Sequence, residues 1–131
     1  MRDALTNFGA IAITAAATDA TKAVKSENII DMYKAGRMHT GPDALRFVFF
    51  PKANYTGTLT FQVLESDNVA SNELVSPKVT NVFTVTNPTQ YKAEVKPFPL
   101  EVKGKYMQIS AYGSAATATN VEAWLEFGAG K

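Results

Sequence analysis

Two runs near the C-terminus, Tyr106-Met107-Gln108-Ile109-Ser110-Ala111-Tyr112 and Val121-Glu122-Ala123-Trp124-Leu125-Glu126-Phe127, alternate apolar positions with polar or amphipathic ones. A period of two marks a strand with one face buried, because successive side chains leave a pleated backbone on opposite sides. In the second run Val121, Ala123, Leu125 and Phe127 share one face, and Glu122, Trp124 and Glu126 share the other. The small-residue segment between the runs predicts a turn, so the pair reads as a hairpin laid against a core.

The middle of the chain repeats the theme. Leu45-Arg46-Phe47-Val48-Phe49-Phe50 reads as a strand stopped by Pro51, and Thr58 to Glu65 as one that turns Leu59, Phe61 and Val63 to a single side. Residues 79–86 and 91–96 are rich in β-branched and aromatic residues and are separated by Asn87-Pro88. Pro97-Phe98-Pro99 then marks an edge, a corner or a turn, since a proline pair has no place in a central strand. Gly9, Ile11 and Ile13 alternate like a strand, the alanine-rich Ala15 to Lys25 suits strand and loop, and a further strand is expected within Ala23 to Ile30. One short helix is expected near Asp31-Met32-Tyr33-Lys34. About eight short strands at regular spacing imply an all-β fold: a two-sheet antiparallel sandwich of jelly-roll or Greek-key type, with residues 1–20 as an extended N-terminal arm.

The expected core is Leu45, Phe47, Phe49, Leu59, Phe61, Val63, Phe83, Val85, Met107, Ile109, Val121, Leu125 and Phe127. With 131 residues, the chain reads as a single domain, residues 1–131, large enough to bury about two-thirds of its unfolded surface. The absence of cysteine excludes disulfides, thiolate metal sites and cysteine nucleophiles. Charges are dispersed, 13 basic against 12 acidic, which argues against nucleic acid as a partner, because binding a phosphate backbone needs a concentrated positive field. Phe8 to Ala17 is too short to span a bilayer, and with Asp3 offsetting Arg2 and Gly9 and Thr14 interrupting the apolar run, it is not expected to be an export leader. No membrane partner is expected.

Reactive centres are hard to find. His39, the sole histidine, lies in the loop 33–43 beside Arg37 and Asp43. Orientation by Asp43 would make it a base, but no nucleophile stands in a recognisable motif, and a surface-loop histidine is the expectation. Gly36 and Gly41 bracket that loop without the Lys-Ser or Lys-Thr of a phosphate loop. The acidic stretch Glu65 to Glu73 lacks the glycine and ligand spacing of an EF-hand and reads as a polar turn. Glu122 and Glu126 fall on one strand face, the wet side of an alternating strand rather than a close catalytic pair. No catalytic residue, cofactor or metal is expected.

Aromatics supply the more specific signal. Trp124, Tyr106 and Tyr112 stand opposite the core-facing positions, and Phe50 stands opposite Phe47 and Phe49. Either the termini of the chain cover that face or a partner does, since Trp and Tyr favour interfaces. A sugar-stacking platform is a third use.

The strand Leu59 to Leu64 ending in Glu65-Ser66-Asp67, the late strand Lys105-Tyr106-Met107-Gln108-Ile109, and the hairpin Gly113-Ser114-Ala115-Ala116-Thr117-Ala118-Thr119 resemble the small jelly-roll cement, or decoration, proteins of tailed bacteriophage capsids. The alternating then Ala/Thr-rich segment Asn7 to Thr21 is similar to the opening arm of that family. The resemblance implies a non-enzymatic virion protein on the outer surface of the capsid. Its partners would be the major capsid protein lattice and further copies of itself, as a dimer or trimer. Ile11, Ile13, Tyr33, Arg37, His39, Phe50 and Trp124 are the expected interface residues, and deleting residues 1–20 is expected to weaken assembly more than folding. A carbohydrate-binding or adhesion module is the alternative, and a small hydrolase built around His39 the third reading.

Overall fold

The computed structural model describes residues 7–14, 16–17, 20–32, 45–97, 104–115 and 119–127. Among the described residues eleven strands run in chain order as β1 (Asn7–Ile13), β2 (Val24–Lys25), β3 (Ile30–Asp31), β4 (Leu45–Pro51), β5 (Thr58–Ser66), β6 (Val69–Ala70), β7 (Glu73–Leu74), β8 (Lys78–Thr86), β9 (Glu94–Pro97), β10 (Tyr106–Gly113) and β11 (Thr119–Phe127). One antiparallel sheet is ordered β1-β11-β4-β9; the other is ordered β2-β10-β5-β8, with β3 also on β10.

With β2 and β3 taken as one interrupted strand, first pairs with last (β1 with β11), second with second-last (β2/β3 with β10), and the inner strands nest in turn (β4 with β9, β5 with β8). Successive nested pairs fall in alternate sheets, which is the wrapping of a jelly roll. The all-β two-sheet sandwich expected from the alternation is therefore the fold observed.

Between the sheets lies a single apolar cluster. Phe49 from β4 stacks on Phe61 from β5 with ring centroids 4.1 Å apart and planes 16° from parallel, and Phe83 tilts against Phe47 at 5.6 Å. Of the expected core, Phe47, Phe49, Leu59, Phe61, Val63, Val85, Met107, Ile109, Val121 and Leu125 are buried and Phe83 packs against them. The side chains of Leu45 and Phe127 lie outside the described set.

Residues 7–13 form a strand, as the alternation of Gly9, Ile11 and Ile13 predicts, and the edge that receives it belongs to the chain's own sheet: it pairs with β11 from Asn7 opposite Trp124 to Ile13 opposite Thr119. Its other side is also occupied. Glu27 and Asn28 donate their backbone N–H groups to Ala10 and Phe8, and the Glu27 carboxylate accepts the Ala10 N–H at 3.0 Å. Gly9 forms the bulge that allows this approach. Its φ is +86°, and a Cβ there would lie 2.8 Å from the Glu27 carboxylate, so no other residue fits without strain. Beyond β1, Ala16 bridges Gly113 of β10, so the chain crosses to the second sheet and closes that side of the sandwich.

The two C-terminal runs are strands but not the expected hairpin: β10 lies between β2 and β5 in one sheet and β11 between β1 and β4 in the other, because alternation fixes which face is buried and not which strand is the partner. Smaller differences have local causes. Of the expected short helix, Asp31 pairs instead with Tyr106 in β3 and Tyr33 and Lys34 lie outside the described residues; among the described residues the one helical turn is a 3-10 turn at Ala20–Lys22. Pro51 ends β4 from inside it, opposite Val121. Proline removes only its own donor, which a last strand residue does not need for its ladder. Pro97 ends β9, an edge strand, as the proline rule requires.

Candidate docking surface

Of the exposed large hydrophobic side chains, Tyr91 and Val95 are on the outer face of the four-stranded sheet, beside Phe50 and Trp124. Cross-strand register sets them in rows: Trp124 of β11 stands opposite Val48 of β4, and Val48 opposite Val95 of β9, while Phe50 stands opposite Glu122. Phe47 and Phe49 point to the core, so Val48 and Phe50 point out.

Three rings form a continuous strip on this face. Phe50 lies 6.0 Å from Trp124 at an interplanar angle of 49°, and 6.0 Å from Tyr91 at 25°. Val48 fills in beside them and is buried, whereas Tyr91 and Val95 are 61% and 49% exposed. Polar groups border the strip. Lys52 Nζ sits 5.6 Å above the Phe50 ring and 3.9 Å from Glu122 Oε2, and the Trp124 indole N–H donates to Glu126 Oε1 at 3.0 Å. An apolar centre with a charged rim is the composition of a protein interface.

Tyr91 is held in place rather than left loose. Its φ of +63° is in the left-handed region, which a bulky aromatic residue adopts only when the surroundings impose it. The surroundings are the loop 51–57, to which the loop 87–92 is laced. Tyr91 donates its N–H to Pro51 O at 2.8 Å, Gln90 donates its N–H to Asn54 Oδ1 at 2.7 Å and its side-chain amide to Lys52 O, and Tyr55 donates its N–H to Pro88 O. A second tie couples Gly57 N–H to Asn87 Oδ1 and Asn87 N–H to Gly57 O.

Of the expected interface residues, the structure brings Phe50 and Trp124 together. Ile11 and Ile13 it places elsewhere, and the expectation for them is corrected: they are 0% and 1% exposed, in the core of their own chain, because the alternation that suggested a docking strand is the alternation of an ordinary core strand. Tyr33, Arg37 and His39 lie outside the described residues, as does Asp43. Tyr106 and Tyr112 are on β10, in the other sheet, and do not join the strip; Lys105 Nζ covers the Tyr106 ring at 5.2 Å. Tyr91 was not expected. It lies before β9, and its place is set by the bonds of the loop 87–92 rather than by strand alternation.

The chain's own N-terminal strand does not cover this strip, because β1 lies within the same sheet. The other sheet differs. A hairpin of β6 and β7 leaves the end of β5 and reaches β2, where Glu73 Oε1 stands 3.9 Å from Lys25 Nζ, so it crosses the outer side of β10. Leu64, Leu74 and Gln108 are buried on that side.

The acidic stretch has a structural use. Glu65 is buried and its carboxylate accepts the Gly104 N–H at 2.8 Å and the Thr80 hydroxyl at 2.7 Å, which ties the end of β5 to β8 and to the start of β10. Among the described residues no group of three or more His, Cys, Asp or Glu is placed to hold a metal ion, and no helix is long and apolar enough to cross a membrane. Compared with known proteins, the sequence matches no protein-family model and no curated protein.

Proposed function

We propose that this chain is a bacteriophage capsid cement protein, which binds the outer surface of the assembled shell and links neighbouring major capsid subunits, with the strip Tyr91, Phe50 and Trp124 as the contact surface. The observation that carries the reading is the rigid presentation of these three rings side by side on the outer face of the four-stranded sheet, with Tyr91 61% exposed. The jelly-roll topology agrees with the resemblance of the strands after Leu59 to that family. The mechanism is thermodynamic and needs no chemical step: a protein that binds the assembled lattice and not its free subunits stabilises the lattice by mass action. Self-association would add avidity where capsid subunits stand at the matching spacing.

Aromatic anchors supply most of the affinity in such an interface, and the rim pair Lys52 and Glu122 supplies orientation. Co-sedimentation with assembled shells, unassembled capsid subunits and naked DNA across a salt series is the test. Retention on shells alone, with moderate salt dependence, is expected. Equal binding to free subunits, or DNA binding that collapses with salt, would overturn the reading.

The same strip supports the alternative of a carbohydrate-binding module. A sugar ring stacking on Tyr91 would find hydrogen-bonding groups in Lys52 and Glu122 beside Phe50. Trp124 fluorescence distinguishes the two, since a saccharide ligand would perturb it at concentrations where shells are absent.

A further inference from the structure

Strand β8 is an edge of the five-stranded sheet, and among the described residues it pairs only with β5. Its last six residues, Asn81-Val82-Phe83-Thr84-Val85-Thr86, contain no charge, proline or glycine, and all but Asn81 are β-branched or aromatic. Such a segment pairs readily with another strand, and edges are ordinarily blunted against it by charges, proline or a bulge. The edge of the other sheet is blunted in this way. Strand β9 ends in Pro97 and sets Glu94 and Lys96 opposite Phe49 and Phe47, at inward-facing positions. In β8 the bulge falls earlier, at Thr80, between the pairs Val63 with Asn81 and Leu64 with Val79, and the six residues beyond it continue in regular register.

The backbone groups on the open side are identifiable. Asn87 donates its N–H to Gly57 O, towards the β5 side, so the odd-numbered residues of this stretch bond inward and the even-numbered ones outward. The Val82 N–H agrees with this parity, because it is held by the Asn81 side chain at 2.9 Å and not by β5. Val82, Thr84 and Thr86 therefore present N–H and C=O to the open edge, and the Val82 side chain is 50% exposed.

We propose that β8 pairs antiparallel with β8 of a second copy of this chain, about a two-fold axis through Thr84, joining two five-stranded sheets into one. In that register Thr84 stands opposite Thr84 of the second copy, and Val82 opposite its Thr86. All three outward backbone pairs are then engaged, and Asn81 releases the Val82 N–H to the new ladder. On the inner face Phe83 meets Val85 of the second copy, and Val85 meets its Phe83. The strand is thus its own complement in this orientation, as an isologous interface requires. Self-pairing of an edge fails when like charges meet across it, and between Asn81 and Thr86 there are none.

Sedimentation velocity of the full chain over a concentration series tests the proposal. A reversible dimer is expected. Thr84→Lys would place two ammonium groups opposite each other, and Thr84→Glu two carboxylates, so each variant alone is expected to lose the dimer with an unchanged circular dichroism spectrum. An equimolar mixture of the two is expected to recover it. In the unmodified chain, hydrogen exchange at the Thr84 and Thr86 amides should be slowed at dimer-forming concentrations and released on dilution. A monomer at every concentration, a dimer that survives both substitutions, or exchange independent of concentration would overturn the inference. The capsid reading is judged separately: shell binding by a monomer would sink the β8 dimer and leave that reading standing, and a dimer that ignores shells would do the reverse.

Discussion

Tyr55 and Ala115, separated by 60 positions in the chain, are bonded twice through one atom: the Tyr55 hydroxyl donates to the Ala115 carbonyl and accepts the Ala115 N–H, each at 2.8 Å. The ring is buried, so this bond joins the β4–β5 loop to the turn after β10 at one end of the sandwich. Gly113 makes room for it, since a Cβ there would lie 2.2 Å from the hydroxyl. Tyr55→Phe keeps the buried ring and strips both backbone groups of their partner. A loss of about 1–3 kcal/mol is expected in urea unfolding with an unchanged slope. A loss within error would mean that water replaces the hydroxyl.

Strand β1 is now expected to matter for folding first. Phe8, Ile11 and Ile13 are all in the core cluster, and the strand is hydrogen-bonded on both sides. Ile11→Ala should cost about 2–5 kcal/mol. Deleting residues 1–13 should abolish the cooperative thermal transition rather than spare it. A truncated chain that melts cooperatively near the original temperature would restore the view of this segment as a dispensable arm.

The central stack offers a coupling measurement. Phe61→Ala removes the ring 4.1 Å from Phe49 and should cost about 3–5 kcal/mol, and Leu125→Ala about 2–5 kcal/mol. Phe49 and Phe61 come from different sheets, so a double-mutant cycle between them reports the contact that joins the layers. A coupling of about 0.5–1.5 kcal/mol is expected for an offset aromatic pair. Additive losses would show that the two rings contribute burial only.

Alternation was legible wherever a strand buries one face, which is why the facing of β4, β5, β10 and β11 was readable from residues such as Phe47, Phe61, Ile109 and Leu125. It fails to distinguish a docking strand from a core strand, because Ile11 and Ile13 alternate alike in both. The pairing partner of β1 depends on the bulge at Gly9 and on Glu27 reaching back to Ala10, contacts that no local pattern encodes. Strands of two residues, such as β2 and β3, are too short to show a period and owe their form to β10. For the docking surface, Phe50 and Trp124 were legible as aromatics on the polar side of a strand. Tyr91 was not singled out, because its position depends on loop-to-loop bonds from Pro51, Lys52 and Asn54 rather than on its own strand.

Tyr91 allows binding to be separated from stability. It is 61% exposed, so removing its ring forfeits little burial, and its φ of +63° is one that glycine adopts without the Cβ clash. Tyr91→Gly thus trades a stacking contact on Phe50 and some backbone entropy against relief of local strain. The net change should stay within about 1 kcal/mol in either direction. Tyr91→Ala retains the strain, loses the ring and should be the less stable of the two. Both should lose retention on assembled shells in the co-sedimentation assay. Trp124→Ala should lose retention and stability together, because its ring also shields Val48 and its indole N–H bonds Glu126. If Tyr91→Gly binds shells as the unmodified chain does, the aromatic strip is not the contact surface, whatever Trp124→Ala does.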